Sequence, residues 1–358
     1  MMHYEAETGV GAAGTGAVTV REASAADGAR WDAFVETAPD ASFFHLWAWK
    51  SIIEEVFRHR THYLLAERQG RVVGVLPLAE IRSLLFGHSV CSLPFGVYGG
   101  CVAGDQATVT ALQQAAVDHA RGQGAAHLEL RHVRPHNPDW PRQDLYVTFR
   151  KELLPEVEAN MLAIPRKQRA MVRKGIKAGL RSEIDTTVDR FFALYADNVH
   201  RHGTPPFPKR YFETLKRVFG ERCECLIVTD PDGTPVSGVL SFYFRDEVLP
   251  YYAGDTVAAR DLAANDFKYW ELMRRACERG RRLFDYGRSK QGTGSFDFKK
   301  NWGFEPAPLS YEYALFKADR IPENNPLNPK YRLFIETWRR LPRPLVNLLG
   351  PHIVRHLG

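Results

Sequence analysis

The sequence predicts a mixed α/β protein made of two tandem domains of one kind, each with a sheet of mixed strand direction. Three observations predict it. Strand-like runs are joined to their neighbours by tight turns in places where a doubly wound fold would insert a helix. The same order of elements occurs twice: two helices, a hairpin, a helix closed by glycine, then a strand. The two hairpins also match. Arg68-Gln69-Gly70-Arg71-Val72-Val73-Gly74-Val75-Leu76 and Pro231-Asp232-Gly233-Thr234-Pro235-Val236-Ser237-Gly238-Val239-Leu240 each give a turn, a strand entry and then Gly-Val-Leu.

In the first copy, residues 18–22 read as a strand, 27–36 as a helix and 44–57 as an aromatic-rich second helix. Residues 63–67 and 72–81 then form a hairpin around Gln69-Gly70, a pair suited to positive φ. A helix over 107–121 stops at Gly122, and strands follow at 127–130 and 144–149. In the second copy, helices over 189–200 and 209–219 precede strands at 225–229, 236–244 and 248–253. A helix over 264–279 stops at Gly280, and the strand 283–286 follows. The implied boundaries are a mobile tail over 1–17, a first domain over 18–155 and a basic helical connector over 156–182. A second domain over 183–320 and an amphipathic helical tail over 321–358 complete the chain. This order fits the acyl-CoA N-acyltransferase (GNAT) fold, with its splayed sheet centre. The glycine fingerprint of a dinucleotide fold after the first strand is absent. Gly122-Gln123-Gly124 follows a helix and precedes a strand, so it reads as a helix C-cap and not as a phosphate loop.

Length and composition set the outer limits. With 358 residues, 44% hydrophobic and 25% charged, the chain can bury two cores, which excludes disordered and fibrous classes. No basic start with an apolar run opens the chain, and no apolar stretch reaches the roughly 20 residues of a membrane span. Five scattered cysteines predict buried thiols in a reducing, cytoplasmic setting. Cys223 and Cys225 share one strand face but lack further ligands at metal spacing, and no metal site is expected. The 13 histidines form no H-E-x-x-H helix, and no G-x-S-x-G elbow supports a serine hydrolase.

The net charge of +6 is local. Arg166, Lys167, Arg169, Arg173, Lys174, Lys177 and Arg181 lie between Pro165 and Ser182 with no acid among them, and subtracting these seven leaves −1 for the rest. At 100° per residue they share one side of a helix opened by Pro165. Either the stripe is a solvated face, or it binds phosphate groups of RNA, of a nucleotide-linked sugar or of anionic lipid. The C-terminal tail mixes Trp338, Leu345, Leu348, Leu349 and Val354 with Arg339, Arg340, Arg343 and Arg355, broken by prolines. Such a tail either packs on the second domain or lies on the inner face of the membrane.

The stretch from Tyr286 to Gly303 is the best candidate for chemistry. A strand ends in a loop with Gly287, Gly292 and Gly294, which allow backbone to approach a ligand, and a short helix carries Phe298-Lys299. Pattern alone leaves a tight loop with a core aromatic pair, Phe298 and Trp302, as the competing reading.

Ser42-Phe43-Phe44-His45-Leu46-Trp47-Ala48-Trp49, Leu93-Pro94-Phe95-Gly96-Val97-Tyr98-Gly99-Gly100 and Pro165-Arg166-Lys167-Gln168-Arg169-Ala170-Met171-Val172-Arg173-Lys174 are distinctive runs of the first half and the connector. Phe284-Asp285-Tyr286-Gly287-Arg288-Ser289 and Phe298-Lys299-Lys300-Asn301-Trp302-Gly303-Phe304 are the distinctive runs of the second half. On these runs the chain resembles the FemAB family of aminoacyl and acyl transferases, and within it the proteins associated with exosortase (PEP-CTERM) systems. The resemblance covers nearly everything after the tail.

The resemblance implies transfer of an aminoacyl or acyl group to an amine of a cell-envelope or exopolysaccharide precursor. The donor is a charged tRNA or an acyl-CoA acting as co-substrate, with no permanently bound cofactor. A catalytically empty module that binds a nucleotide-sugar or RNA is the other reading. By the family's pattern Lys299 stabilises the oxyanion beside Phe298; separately, Asp255 or Asp285 is the candidate to act as base or to orient the amine. Arg288, Ser289 and Gly294 of the loop and Tyr252 are candidate substrate contacts, together with Arg210 and Tyr211, whose spacing differs from the family's. Arg166, Lys167, Arg169, Arg173, Lys174 and Lys177 are the expected anion contacts. The helix ending at Lys50 departs from the family's Trp-to-Lys spacing, so no precursor-binding role passes to Lys50.

Overall fold

The alternating hydrophobic pattern of residues 61–83 folds as a hairpin, and its turn uses left-handed backbone at Gln69 (φ 50°) and Gly70 (φ 74°). A computed structural model describes residues 16–83, 87–317, 319–321 and 329–356, with backbone alone for 329–333. Of the mobile tail expected over 1–17, residues 1–15 lie outside the described residues.

The first half runs β1 (Thr19–Glu22), α1 (Gly28–Thr37), α2 (Ala48–Ile52), β2 (Thr61–Arg68), β3 (Arg71–Ser83), β4 (Gly87–Ser92) and β5 (Val102–Ala103). It continues with α3 (Gln106–Gly122), β6 (His127–His132), β7 (Arg142–Gln143) and β8 (Tyr146–Glu152). Two helices, α4 (Val157–Ala163) and α5 (Arg166–Lys177), connect it to β9 (Arg181–Asp185). The second half follows as α6 (Asp189–Arg201), α7 (Lys209–Phe219), β10 (Cys223–Thr229), β11 (Pro235–Phe244) and β12 (Glu247–Asp255). It ends with α8 (Ala264–Glu278), β13 (Leu283–Lys290), α9 (Gly294–Asn301), β14 (Pro306–Pro308) and β15 (Ser310–Leu315). The C-terminal helices are α10 (Pro329–Arg340) and α11 (Arg343–Val354).

The strands form two sheets of one design. One reads β1-β2-β3-β4-β6-β15-β7, with β5 beside β3, and the other reads β9-β10-β11-β12-β13-β8-β14. Each has one parallel pair at its centre, β4 with β6 and β12 with β13, flanked by antiparallel pairs. The matching Gly-Val-Leu runs lie on β3 and β11, the third strand of each sheet.

The sheets do not divide at one point of the chain, as segments 18–155 and 183–320 would have it. Strand β8, late in the first half, pairs with β13 in the second sheet, while β15, late in the second half, pairs with β6 in the first. Each half covers an edge that the other half's sheet would otherwise leave open. The halves also share one hydrophobic core, in which Phe43 stacks on Phe242 with ring centroids 4.4 Å apart.

Two local expectations need correction. The helix expected over 44–57 is broken into a 3-10 turn at Phe43–His45, α2 and a π turn at Ile53–Phe57 that ends on left-handed Arg58. Extended Leu46 interrupts it, which lets Phe43, Phe44 and Trp49 reach one buried cluster that a single straight helix would not serve. The basic stripe is also shorter than expected, because α5 ends at Lys177 and Arg181 opens β9. The Gly122-Gln123-Gly124 segment is indeed a C-cap: Gly124 (φ 71°) donates to Arg121 and Ala125 donates to Ala120. All five cysteines are free and buried.

The C-terminal tail packs on the body. Trp338, Val346 and Val354 are buried, and Gly350 lies so close to Pro206 that a Cβ there would meet its ring at 2.5 Å. Phe334, Leu345, Leu348 and Leu349 stay exposed. Among the described residues no helix is long and apolar enough to cross a membrane.

Candidate active site

Strands β12 and β13 pair for only two positions, Glu247 with Leu283 and Val248 with Phe284, and then part. Where they part, β13 also slips against β8 between Asp285 and Arg288, with Gly287 left-handed at φ 63°. A side chain at that φ would strain the backbone, so glycine is what lets the strand bulge here. Thr293 then caps α9 by accepting from the Phe296 amide, and the helix runs back beneath the bulge.

This geometry places Lys299. Its side chain is 8% exposed, and its ammonium donates to the carbonyl oxygens of Tyr286 (2.7 Å), Gly287 (3.2 Å) and Arg288 (3.1 Å). A lysine has three N–H donors, and all three are thereby used. Burial pushes its pKa down to about 8, opposed by the charge of Asp285, so the cation still predominates at neutral pH. The rings of Phe149 and Tyr286 flank it at 5.5 and 5.8 Å.

A cavity of about 420 Å³ opens at the split, walled by Pro250, Tyr251 and Tyr252 of β12 and by Tyr286, Gly287 and Arg288 of the bulge, with Lys299 and Ser295 from α9. Phe95 and Val97 reach it from the first half, and Val354 closes it from α11. Among the described lining residues none is a carboxylate or a histidine. Arg288 lies over the Tyr146 ring at 4.6 Å and donates to the Tyr311 hydroxyl at 3.2 Å.

The other expected site residues divide. Phe298 packs against Tyr269 and Trp302, while Trp302 is fully buried and donates to Asp266 at 2.9 Å. Ser289 is buried and meets the Ser295 hydroxyl at 3.0 Å, and exposed Gly294 opens α9. Tyr252 lines the cavity, with its hydroxyl 3.0 Å from that of fully buried Tyr211. Arg210 instead donates to the Val56 carbonyl at 2.8 Å and so joins the two halves.

Neither aspartate lines the cavity. Asp255 accepts from the Ser237 hydroxyl and at 2.8 Å from Lys268, whose side chain is wholly buried. Asp285 is also fully buried and accepts from the Tyr98 hydroxyl (2.9 Å) and the Gly287 amide (2.7 Å), with Arg150 at 3.2 Å. Successive side chains of a strand alternate faces, so Asp285 lies opposite Tyr286 and faces the first half. Burial raises its pKa, against the pull of Arg150.

On α5, Arg166, Lys167, Arg173, Lys174 and Lys177 are exposed and half-buried Arg169 donates to the Leu162 carbonyl at 2.9 Å. The opposite side seats Gly175 against Phe267 of α8, where a Cβ would lie 2.8 Å from that side chain. Pro165 at the helix start lies so close to Gly303, just beyond α9, that a Cβ there would meet its ring at 3.2 Å, so the basic face begins beside the helix that carries Lys299. Sequence reasoning singled out Lys299, which lines this cavity, but missed the aromatic and aliphatic wall from Phe95, Val97 and Val354, which long-range packing assembles from distant segments.

Comparison with known proteins agrees with this architecture. The family model described as an acetyltransferase (GNAT) domain matches residues 166–300. The crystal structure of FemX is similar at TM-score 0.61 and 16% identity, over 88% of this chain and 100% of that one. L-PGS from Bacillus licheniformis is similar at TM-score 0.54 and 11% identity, over 87% of this chain and 97% of that one. A tandem GNAT protein from the clavulanic acid biosynthesis pathway gives TM-score 0.53 and 14% identity, over 85% of this chain and 100% of that one. No curated protein matches the sequence. The fold is therefore that of two GNAT-like domains in tandem, with a mixed sheet in each and a strand exchanged in each direction.

Proposed function

We propose that the chain is an acyltransferase that moves an aminoacyl or acyl group onto an amine of a cell-envelope or exopolysaccharide precursor. The observation that carries this reading is the Lys299 cation built into the wall of a cavity at the β12–β13 split. The acceptor nitrogen attacks the carbonyl carbon of the donor, and a C–N bond forms. The C–O bond of a tRNA ester or the C–S bond of a CoA thioester breaks, and the leaving oxygen or sulfur takes up the proton that the amine releases. Negative charge grows on the carbonyl oxygen on the way, and a fixed cation in the cavity wall stabilises it. With its three donors already engaged, Lys299 acts chiefly through its charge and by fixing the bulge. Phe298 shapes α9 behind it, and Arg288 and Tyr252 contact substrate. Asp255 and Asp285 are not assigned as bases, since their carboxylates are held elsewhere.

The exposed basic face of α5 supports a polyanionic donor, with charged tRNA favoured over acyl-CoA. The resemblance to exosortase-associated FemAB proteins favours a polysaccharide precursor as acceptor. Exposed Leu345, Leu348 and Leu349 beside Arg339, Arg340 and Arg343 would let the tail touch the inner face of the cytoplasmic membrane. The engaged donors of Lys299 and the lack of a carboxylate or histidine in the described lining favour a second reading, a binding module without turnover. Incubating the chain with charged tRNA or acyl-CoA and amine acceptors, then reading products by mass spectrometry, decides between them. An amide product dependent on Lys299 supports transfer, whereas ligand binding without product from any pair supports the module.

A further inference from the structure

Away from that cavity, three side chains meet where the end of α3 crosses β2 and β3. His62, Glu80 and His119 each offer a ligand atom, and these atoms lie within 4.8 Å of one another. We propose that they bind a transition-metal ion of the zinc class, as a clasp between the β2–β3 hairpin and α3. No motif spacing hints at this site, because the three positions are far apart in the chain and come from three elements.

The arrangement around the trio is that of a built site. His62 Nδ1 is 3.2 Å from a Glu22 carboxylate oxygen, and its Nε2 is 3.0 Å from Glu80 Oε1. An Nδ1–H donated to Glu22 leaves the Nε2 lone pair aimed at Glu80, the carboxylate–histidine pairing that orients a metal ligand. Two lone pairs facing each other at that distance repel unless a proton or a metal ion lies between them. His119 Nε2 is buried without a hydrogen-bond partner, an arrangement that is unfavourable unless something fills it. The two imidazoles lie close, with ring centroids 4.0 Å apart.

Glu80 is 2% exposed, and its second oxygen is held by Arg82 (2.8 Å), with His88 at 3.5 Å. Its first oxygen is thus oriented toward His62. In a tetrahedral zinc site with bonds near 2.0–2.1 Å, neighbouring ligand atoms are about 3.4 Å apart. The His62–Glu80 edge, at 3.0 Å, is within about 0.4 Å of that spacing, and small side-chain rotations would bring in the third atom, all three lying within 4.8 Å of one another. Two imidazole nitrogens and one carboxylate oxygen favour zinc over magnesium or calcium. His119 sits in the last turn of α3, where the helix dipole favours a cation. The Arg82 guanidinium opposes a cation here, but its side chain is 55% exposed and can swing into solvent. None of the three residues lines the Lys299 cavity, so the site stands independently of the transferase reading.

The test uses the full chain without an affinity tag, stripped by chelator and titrated with Co²⁺ as a spectroscopic substitute and with Zn²⁺. One metal per chain, visible d–d bands and a rise of Tm with Zn²⁺ are expected. His119→Gln and His62→Gln should each weaken binding by at least about tenfold, and Glu22→Gln by about 10–100-fold through loss of orientation. X-ray absorption of the Zn²⁺-loaded wild-type chain, which needs no variant, should show imidazole nitrogen and oxygen neighbours. Absence of binding would overturn the proposal. Sulfur neighbours, or affinity unchanged in both histidine variants, would overturn it as well.

Discussion

The ammonium of Lys299 lies 2.7 Å from the carbonyl oxygen of Tyr286, and this bond ties α9 to the point where the second sheet splits. The same cation is thus a fastener for the bulge and a charge in the cavity wall. Lys299→Met removes both functions. Three carbonyls lose their donor, and an unsatisfied buried acceptor costs about 1–3 kcal/mol. A lowered Tm with an intact far-UV spectrum is expected, and transfer should fall on the order of 10²–10³-fold. Turnover equal to wild type would remove Lys299 from the chemistry and leave it as a fastener alone.

The protonation of Lys299 gives a separate readout. Its folded pKa of about 8 lies below the ordinary lysine value because burial disfavours the charge. Transfer that depends on the cation should therefore decline as pH rises through about 8, and Lys299→Met should lose that limb of the profile. The linkage has the opposite sign for stability. Between about 8 and the ordinary value the unfolded chain holds more protons, so this group's penalty on folding is relieved as pH rises. A kcat/KM profile that stays flat from about pH 7 to 9.5 would contradict the assignment.

Glu247 makes a prediction about folding at lower pH. It shares the guanidinium of Arg150 with Asp285, and burial pushes its pKa up to about 7. The folded state then holds more protons than the unfolded one between about 4.5 and 7. This group's stabilising contribution is complete below that window and is lost as pH rises through about 7. Glu247→Gln should remove that decline and, relative to wild type, gain on the order of 1–3 kcal/mol at about pH 8 over about pH 4.5. Urea unfolding of both proteins at the two pH values reads the difference, and parallel curves would refute it.

The basic face of α5 can be tested without knowing the reaction. Arg169 spends a donor on the Leu162 carbonyl, so Arg173 and Lys174, both exposed, are the better pair to reverse. The double change to glutamate should weaken tRNA binding and reduce the slope of log K against log salt by about 0.7–0.9 for each phosphate no longer neutralised. An unchanged slope in filter binding would return the stripe to the status of a solvated face.

How far the sequence could be read depended on whether a feature is local. The hairpin at Gln69-Gly70 and the cap at Gly124 follow from residues that touch each other along the chain. Lys299 was legible because its glycine-rich loop and its helix are adjacent in sequence. The engagement of its donors was not, since the carbonyls of 286–288 turn toward it only once Gly287 bulges. Asp285 was a candidate base by its place in the loop segment, yet strand alternation turns it to the other face, toward Tyr98. The helix expected over 44–57 failed because a buried aromatic cluster, with partners as distant as Phe242, overrode its local periodicity.

The exchanged strands yield the last prediction, which concerns whether either half can fold alone. A fragment of residues 18–155 would carry β8 without its partner β13 and would leave β6 without β15. It would also expose Phe43 and Trp49, which pack on Phe219 and Phe242 of the second half. An open hydrophobic edge next to an uncovered aromatic face is an aggregation template. The fragments 18–155 and 156–358, made separately, should therefore be insoluble or lack cooperative unfolding. Made together in one cell, they should associate and recover a single unfolding transition, because β8 and β15 can then cross between them. A soluble, cooperatively folded 18–155 fragment would show that the exchange adorns two independent domains and does not join them.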